Sequence, residues 1–136
     1  MKNIHVSAAI IMKDDRIFIT QRGYGEFKDF WEFPGGKIEK GETKEEALKR
    51  EIMEELHASI SIDDFLVCVS YDYPDFHLEM ECFICSLMDD HLELLEAEDA
   101  RFVHVDELKD FDFLPADIIA IDALKKYLKK KDTISF

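Results

Sequence analysis

Three glutamates on one helical face constrain this chain more than any other feature. Segment 36–58, GKIEKGETKEEALKREIMEELHA, joins a glycine turn to a helix start. Glu51, Glu54 and Glu55 fall at i, i+3 and i+4, so they project from one side of the helix, within roughly 6 Å of each other. Like charges that close repel, and a solvated helix gains nothing from the arrangement. A hard divalent cation does gain, because Mg²⁺ or Mn²⁺ seeks clustered carboxylate oxygens. The bland alternative is a solvated acidic face, the usual fate of Glu-rich helices.

Local chemistry predicts the same helix independently. Thr43 followed three residues later by Glu46 makes a capping box, and Glu45 and Glu46 suit the positive helix start. Leu48, Ile52 and Leu56 give an apolar stripe opposite part of the acidic face. The spacing predicts a helix over 44–56. Arg50 lies four residues before Glu54 and is expected to pair with it or with Glu42, orienting a ligand carboxylate rather than touching substrate.

Composition bounds the rest. A chain of 136 residues, nearly half of them hydrophobic, is expected to be one domain spanning 1–136 with a real core. Acidic residues number 31 against 17 basic, for a formal charge of −14. That balance repels nucleic acid polymers, and no basic stripe offsets it. A polyanionic substrate must then arrive with metal ions. Cys82-Phe-Ile-Cys85 is formally C-x-x-C, but it sits in an apolar stretch without a second pair. Together with Cys68, these cysteines are expected to be buried thiols of a cytoplasmic protein rather than a zinc or redox site. The first residues, MKNIH, carry no long apolar run, so no export signal or membrane span is expected.

Along the chain, alternation and turn residues predict an α/β domain without linkers or repeats. Residues 5–12 read as a largely buried strand, Asp14-Asp15 as a turn and 16–20 as its hairpin partner. A loop at 23–29 leads to a short strand over 30–33, ended by Pro34-Gly35-Gly36. After the helix come strands over 65–73 and 77–87, joined at Pro74-Asp75, and another over 100–105. Asp106 is expected to cap a short helical turn. Pro115 opens a last helix lined by Ile118, Ile121, Leu124 and Leu128. Its terminal lysines read as dipole partners and solubilisers, not as a binding patch.

The spacing of segment 36–58 resembles the signature of the Nudix hydrolases, G-x5-E-x7-R-E-U-x-E-E-x-G-U, where U is a bulky aliphatic. Gly36, Glu42, Arg50, Glu51, Ile52, Glu54 and Glu55 stand at its fixed positions. Two positions depart: His57 replaces the Gly that normally ends the helix at positive φ, and Ala58 replaces a larger aliphatic. Histidine at positive φ costs about 1 kcal/mol. Further stretches, FITQR at 18–22, WEFPGGKIE at 31–39, YPD at 73–75 and LPAD at 114–117, resemble the MutT branch. The sister group of CTP pyrophosphohydrolases shares W-E-F and P-A-D, and these features do not separate the two.

The resemblance implies an α-β-α sandwich around a mixed sheet, and hydrolysis of nucleoside triphosphates to monophosphate and pyrophosphate. The leading substrate is 8-oxo-dGTP, with CTP-type activity as the alternative and a non-catalytic nucleotide-binding module as the reading of another class. It implies Mg²⁺ (or Mn²⁺) held by Glu51, Glu54, Glu55 and the carbonyl of Gly35 or Gly36, with Glu96 as a further ligand or base and Glu98 as its rival. Arg22 is implied as a phosphate contact, against an ordinary strand-end charge. Asp117 stands where MutT has a base-binding asparagine, against a plain helix-start carboxylate. Phe76 replaces an arginine, and Phe33 and Phe76 are candidates for stacking on the base. The expected partner is the nucleotide alone, with no nucleic acid polymer or membrane, and the protein a monomer or homodimer.

Overall fold

A computed structural model of the protein describes residues 2–93 and 99–134. Among these, β1 (Lys2–Lys13) and β2 (Arg16–Gln21) form a hairpin, with Asp14 in the left-handed region at its turn. Then come β3 (Trp31–Glu32), β4 (Gly35–Lys37), α1 (Lys44–Leu56), β5 (Ile60–Asp72), β6 (Phe76–Leu87) and β7 (Asp99–His104). A 3₁₀ turn (Val105–Asp110) precedes α2 (Pro115–Ile134).

The sheet is mixed. Its main path runs β3-β2-β1-β6-β5, with β4 paired to β1 and β7 to β2. β1 runs parallel to β6 from Lys2 opposite Phe76 to Ile11 opposite Cys85, and its other pairings are antiparallel. The nearly continuous apolar run of β1 serves two cores at once. Ala8 and Ile10 face α2, in a cluster with Ala116, Ala120 and Leu124. Ala9 and Ile11 face α1, in a cluster with Leu48, Ile52 and Leu56. Alternate side chains of a strand point to opposite faces, so a strand covered on both sides must be apolar throughout. The result is the α-β-α sandwich.

Helix α1 occupies the predicted span, with both halves of the Thr43–Glu46 capping box formed. His57 ends it in the left-handed region (φ 49°, ψ 41°) and donates its N–H to the Met53 carbonyl, doing the job that the signature gives to glycine. Several expectations are corrected. β1 and β5 are longer than expected, and β5 carries register shifts at 62–64 and 65–67 that break its alternation. β4 was hidden inside the glycine turn. His104, not Asp106, caps the 3₁₀ turn, its ring nitrogen accepting the Asp106 N–H at 3.1 Å. Ile118 is half exposed, because it lies two residues from both Ala116 and Ala120 and so turns away from the sheet.

Cys82 and Cys85 are buried in different cores, on opposite faces of β6, so they cannot pair. Burial raises both thiols, Cys85 to about 12, which leaves them inert. Cys68 departs from expectation: it is exposed on β5, at the end of the main strand path. No described helix is long and apolar enough to cross a membrane.

Candidate active site

The turn between β3 and β4 is the keystone of the cleft. Its strand-like docking follows from bare backbone: Ala9 N–H donates to the Pro34 carbonyl at 2.8 Å, and Gly35 and Gly36 pair with Ala8 and Ser7 of β1. A β-carbon on Gly35 would lie 2.0 Å from the Ser7 carbonyl oxygen, so no side chain fits. One on Gly36 would lie 2.3 Å from the Glu51 carboxyl carbon. The missing side chain of Gly36 is the cradle in which the Glu51 carboxylate rests.

Arg50 fixes that carboxylate. Its Nε and Nη2 grip both oxygens of Glu42 at 2.7 and 3.0 Å, while Nη1 donates to Glu51 at 2.9 Å and to Glu54 at 3.2 Å. Nη2 also donates to the Lys37 carbonyl at 3.0 Å. Both partners offered by the sequence are therefore used, and Glu51 joins them. The Glu42 carboxylate is held below its usual range by this pair and by the N–H of Glu39. The guanidinium is raised further above its already high value.

Glu51 and Glu55 line a cleft of about 640 Å³, together with Gly35, Gly36, Arg22, Phe76 and Asp117. That volume suits a nucleotide-sized ligand. Glu54 instead points outward, its side chain 56 % exposed beside Arg50. Glu96 and Glu98 lie outside the described residues. The donor set at the turn is all oxygen: carboxylates of Glu51 and Glu55 beside backbone carbonyls of a side-chain-free turn. It fits a hard divalent cation.

Arg22 lines the cleft as expected, but Glu32 holds its guanidinium in a two-pronged pair at 3.1 and 2.8 Å. That pair raises the arginine's pKa. Glu32 was missed in the sequence, although it stands in the quoted W-E-F. Phe33 belongs to the core, only 4 % exposed and packed on Phe113, so its ring has little surface for a base. Its backbone is what matters. The Phe33 N–H donates to Asp117 Oδ1 at 2.9 Å.

Asp117 is almost wholly buried at the start of α2. That start is placed by Trp31, which exchanges backbone hydrogen bonds with Asp112 and Leu114. Desolvation pushes the Asp117 carboxyl up to about 8, against the Phe33 N–H and the Arg22 charge, which both lower it. At neutral pH the group is mostly protonated, an O–H donor as well as an acceptor. Phe76 lines the cleft and stacks on Tyr73, ring centroids 4.9 Å apart. Tyr73, quoted in the sequence only as part of a motif, packs also against Phe27 and accepts the Ala116 N–H at 3.2 Å. Only its aromatic character was legible in advance.

A model of the NUDIX domain family matches residues 6–123. The 8-oxo-dGTP diphosphatase of Proteus vulgaris is 40 % identical over 61 % of this chain and 76 % of its own. That of Escherichia coli K12 is 30 % identical over 93 % of this chain and 99 % of its own. The CTP pyrophosphohydrolase of E. coli K12 is 28 % identical over 90 % of this chain and 92 % of its own. A MutT Nudix hydrolase from Burkholderia pseudomallei has the same fold, with TM-score 0.82 at 23 % identity over 90 % of this chain and 98 % of its own. The mixed-sheet sandwich is thus a fold shared with Nudix hydrolases. The chain belongs to the Nudix family, whose members act on nucleotide substrates with divalent metal.

Two outcomes follow from this geometry. Gly36→Ala should leave the fold in place, because the obstructing group is the far end of a flexible side chain, but displace Glu51 and weaken Mg²⁺ binding by tenfold or more, about 1.4 kcal/mol. Calorimetric titration of Mg²⁺, beside a circular dichroism spectrum, measures both. Asp117 should make stability fall as pH rises. Its folded pKa of about 8 lies above the ordinary 3.8, so between those values the folded state keeps a proton that the unfolded state has lost. Each pH unit there removes up to about 1.4 kcal/mol. Urea midpoints from pH 5 to 8 should fall in the wild type relative to Asp117→Asn; parallel curves would contradict the buried proton.

Proposed function

We propose that this protein hydrolyses nucleoside triphosphates to monophosphate and pyrophosphate, with 8-oxo-dGTP as the preferred substrate. The observation that carries the reading is the Glu51 carboxylate held in the Gly36 cradle, with Glu55 beside it, in the same cleft as the buried Asp117. A nucleotide fits with its phosphates toward the carboxylates and its base toward Asp117. The similarity to 8-oxo-dGTP diphosphatases over most of the chain supports the substrate. A non-catalytic module would have no use for carboxylates kept close at an electrostatic cost.

In this reading Glu51, Glu54, Glu55 and the Gly36 carbonyl hold Mg²⁺, or Mn²⁺ in its place, with Glu96 as a further ligand or base. Bound there, a divalent ion neutralises phosphate charge and lowers the pKa of its water. Arg50 holds the Glu51 carboxylate in its cradle and ties Glu54 beside it. Arg22 offers Nη1 to a phosphate oxygen, while Glu32 keeps the guanidinium from swinging. Phe76, backed by Tyr73, flanks the base. The protonated Asp117 donates to a base carbonyl and accepts from a ring N–H, a pattern that a guanine-type edge offers. Free nucleotides of the cytoplasm are the natural pool for such an enzyme, and its unpaired buried thiols suit that compartment.

CTP-type hydrolysis is the second reading. A CTP pyrophosphohydrolase similar over 90 % of the chain favours it, as does the ionised form of Asp117, which would accept from a cytosine amino group. The two readings separate on protonation of one carboxyl.

Reaction in ¹⁸O-water should place label in pyrophosphate, because attack falls on the β-phosphorus; label in the monophosphate would rule that out. Across a panel of normal and oxidised nucleotides, Asp117→Asn should change the rank of substrates. Loss of one buried partner typically amounts to 1–3 kcal/mol, roughly 5- to 150-fold in relative kcat/KM. Equal slowing of every nucleotide would reduce Asp117 to a structural carboxylate.

A further inference from the structure

We propose that His57, His91 and Glu93 form a second cation site, of the zinc type, at the C-terminal end of α1. It stands independently of the substrate reading above. Glu93 Oε2 meets His57 Nδ1 and lies 3.1 Å from His91 Nε2. Ligand atoms of the three residues all lie within 4.8 Å of one another. A four-coordinate zinc ion, with bonds of about 2.0–2.2 Å, needs its ligand atoms roughly 3.4 Å apart. Small side-chain rotations achieve that. Two imidazoles and one carboxylate are a known catalytic or regulatory zinc set, with the fourth position left to water. The set is poor for Mg²⁺, which seeks oxygen.

Hydrogen bonds from backbone N–H groups hold the segment that carries His91 and Glu93 against the end of α1. The Glu93 N–H donates to the Leu56 carbonyl at 2.7 Å, pinning the glutamate beside the last turn of α1. The Met88 N–H donates to the Ser59 carbonyl at 2.9 Å, closing the same junction from β6. His91 is set by its N–H to Asp89 Oδ1, also 2.9 Å. The rings of His57 and His91 stand edge to face, centroids 5.4 Å apart.

Two further observations point to a cation. His57 holds a left-handed conformation in which glycine would be unstrained. A residue kept in a strained conformation marks a place to ask for a function, and here the strain presents an imidazole to two other ligands. The last turn of α1 also has no basic residue, so the negative end of the helix dipole lacks a cation there. An ion bound at His57 would supply it. It would also clamp α1, which carries the three glutamates, to the connection between β6 and β7.

The test uses Zn²⁺ with saturating Mg²⁺ present, so that the oxygen site is already filled. Calorimetric titration at pH 7.5 should show one zinc equivalent on the wild type, with a raised melting temperature. His57→Gly and His91→Ala should each weaken zinc by more than the roughly 10- to 100-fold that loss of an outer-shell partner costs. His57→Gly relieves the strained conformation, so its metal-free melting temperature should hold or rise, which separates ligand loss from misfolding. Co²⁺ in place of zinc should give the intense visible bands of a four-coordinate, nitrogen-ligated ion, absent from both variants. No zinc uptake by the wild type, or equal affinity in all three proteins, would overturn the site.

Discussion

The N–H donors of one arginine meet oxygens from four residues, and the acidic helix depends on that match. Arg50 has five such donors. They reach both oxygens of Glu42, one each of Glu51 and Glu54, and the Lys37 carbonyl. Without this cation the glutamates would spread to escape each other, and the 37–42 loop would lose its tie to the helix. A lysine could not replace it, since a compact ammonium has neither the fork nor the donor count. The signature thus encodes a folded object: one arginine, the carboxylates it aligns, and a glycine that makes room for one of them.

The sandwich gives that object a fixed stage. The middle of β1 is buried on both faces, and the glycine turn docks onto it through backbone pairing. α1 approaches from one side and α2 from the other. Each brings its acidic groups to the same edge of β1, Glu51 and Glu55 from the first and Asp117 from the second. Both halves of the cleft therefore share one reference strand.

What was legible in the sequence was local. The span of α1 and its capping box follow from residues within four positions of one another, whereas the left-handed cap at His57 was legible only through the family signature. The two-sided burial of β1 was legible in its nearly continuous apolar run. Non-local pairings were not. Nothing near Arg22 announces that Glu32 will take its guanidinium, because the pair forms across two strands. Asp117 read equally well as a helix-start carboxylate or a base contact. The N–H that it accepts belongs to Phe33, 84 positions away. The strand β4 was masked because three residues of backbone pairing leave no side-chain pattern. Phe33 and Cys68 show the same limit in opposite senses, since an aromatic in a motif went to the core and a thiol in an apolar strand went to solvent.

One short stretch touches both ends of the cleft. Phe33 holds Asp117, Pro34 and Gly35 lock onto β1, and Gly36 seats Glu51. Four residues span at most about 13 Å even when fully extended, and the bend at Pro34 keeps the ends closer than that. They act as a ruler whose two ends carry the buried carboxyl and the metal-type donors. The middle of the ruler is paired to β1, a strand covered on both faces at that point. Whatever lies between those two ends meets a separation set by backbone rather than by side chains.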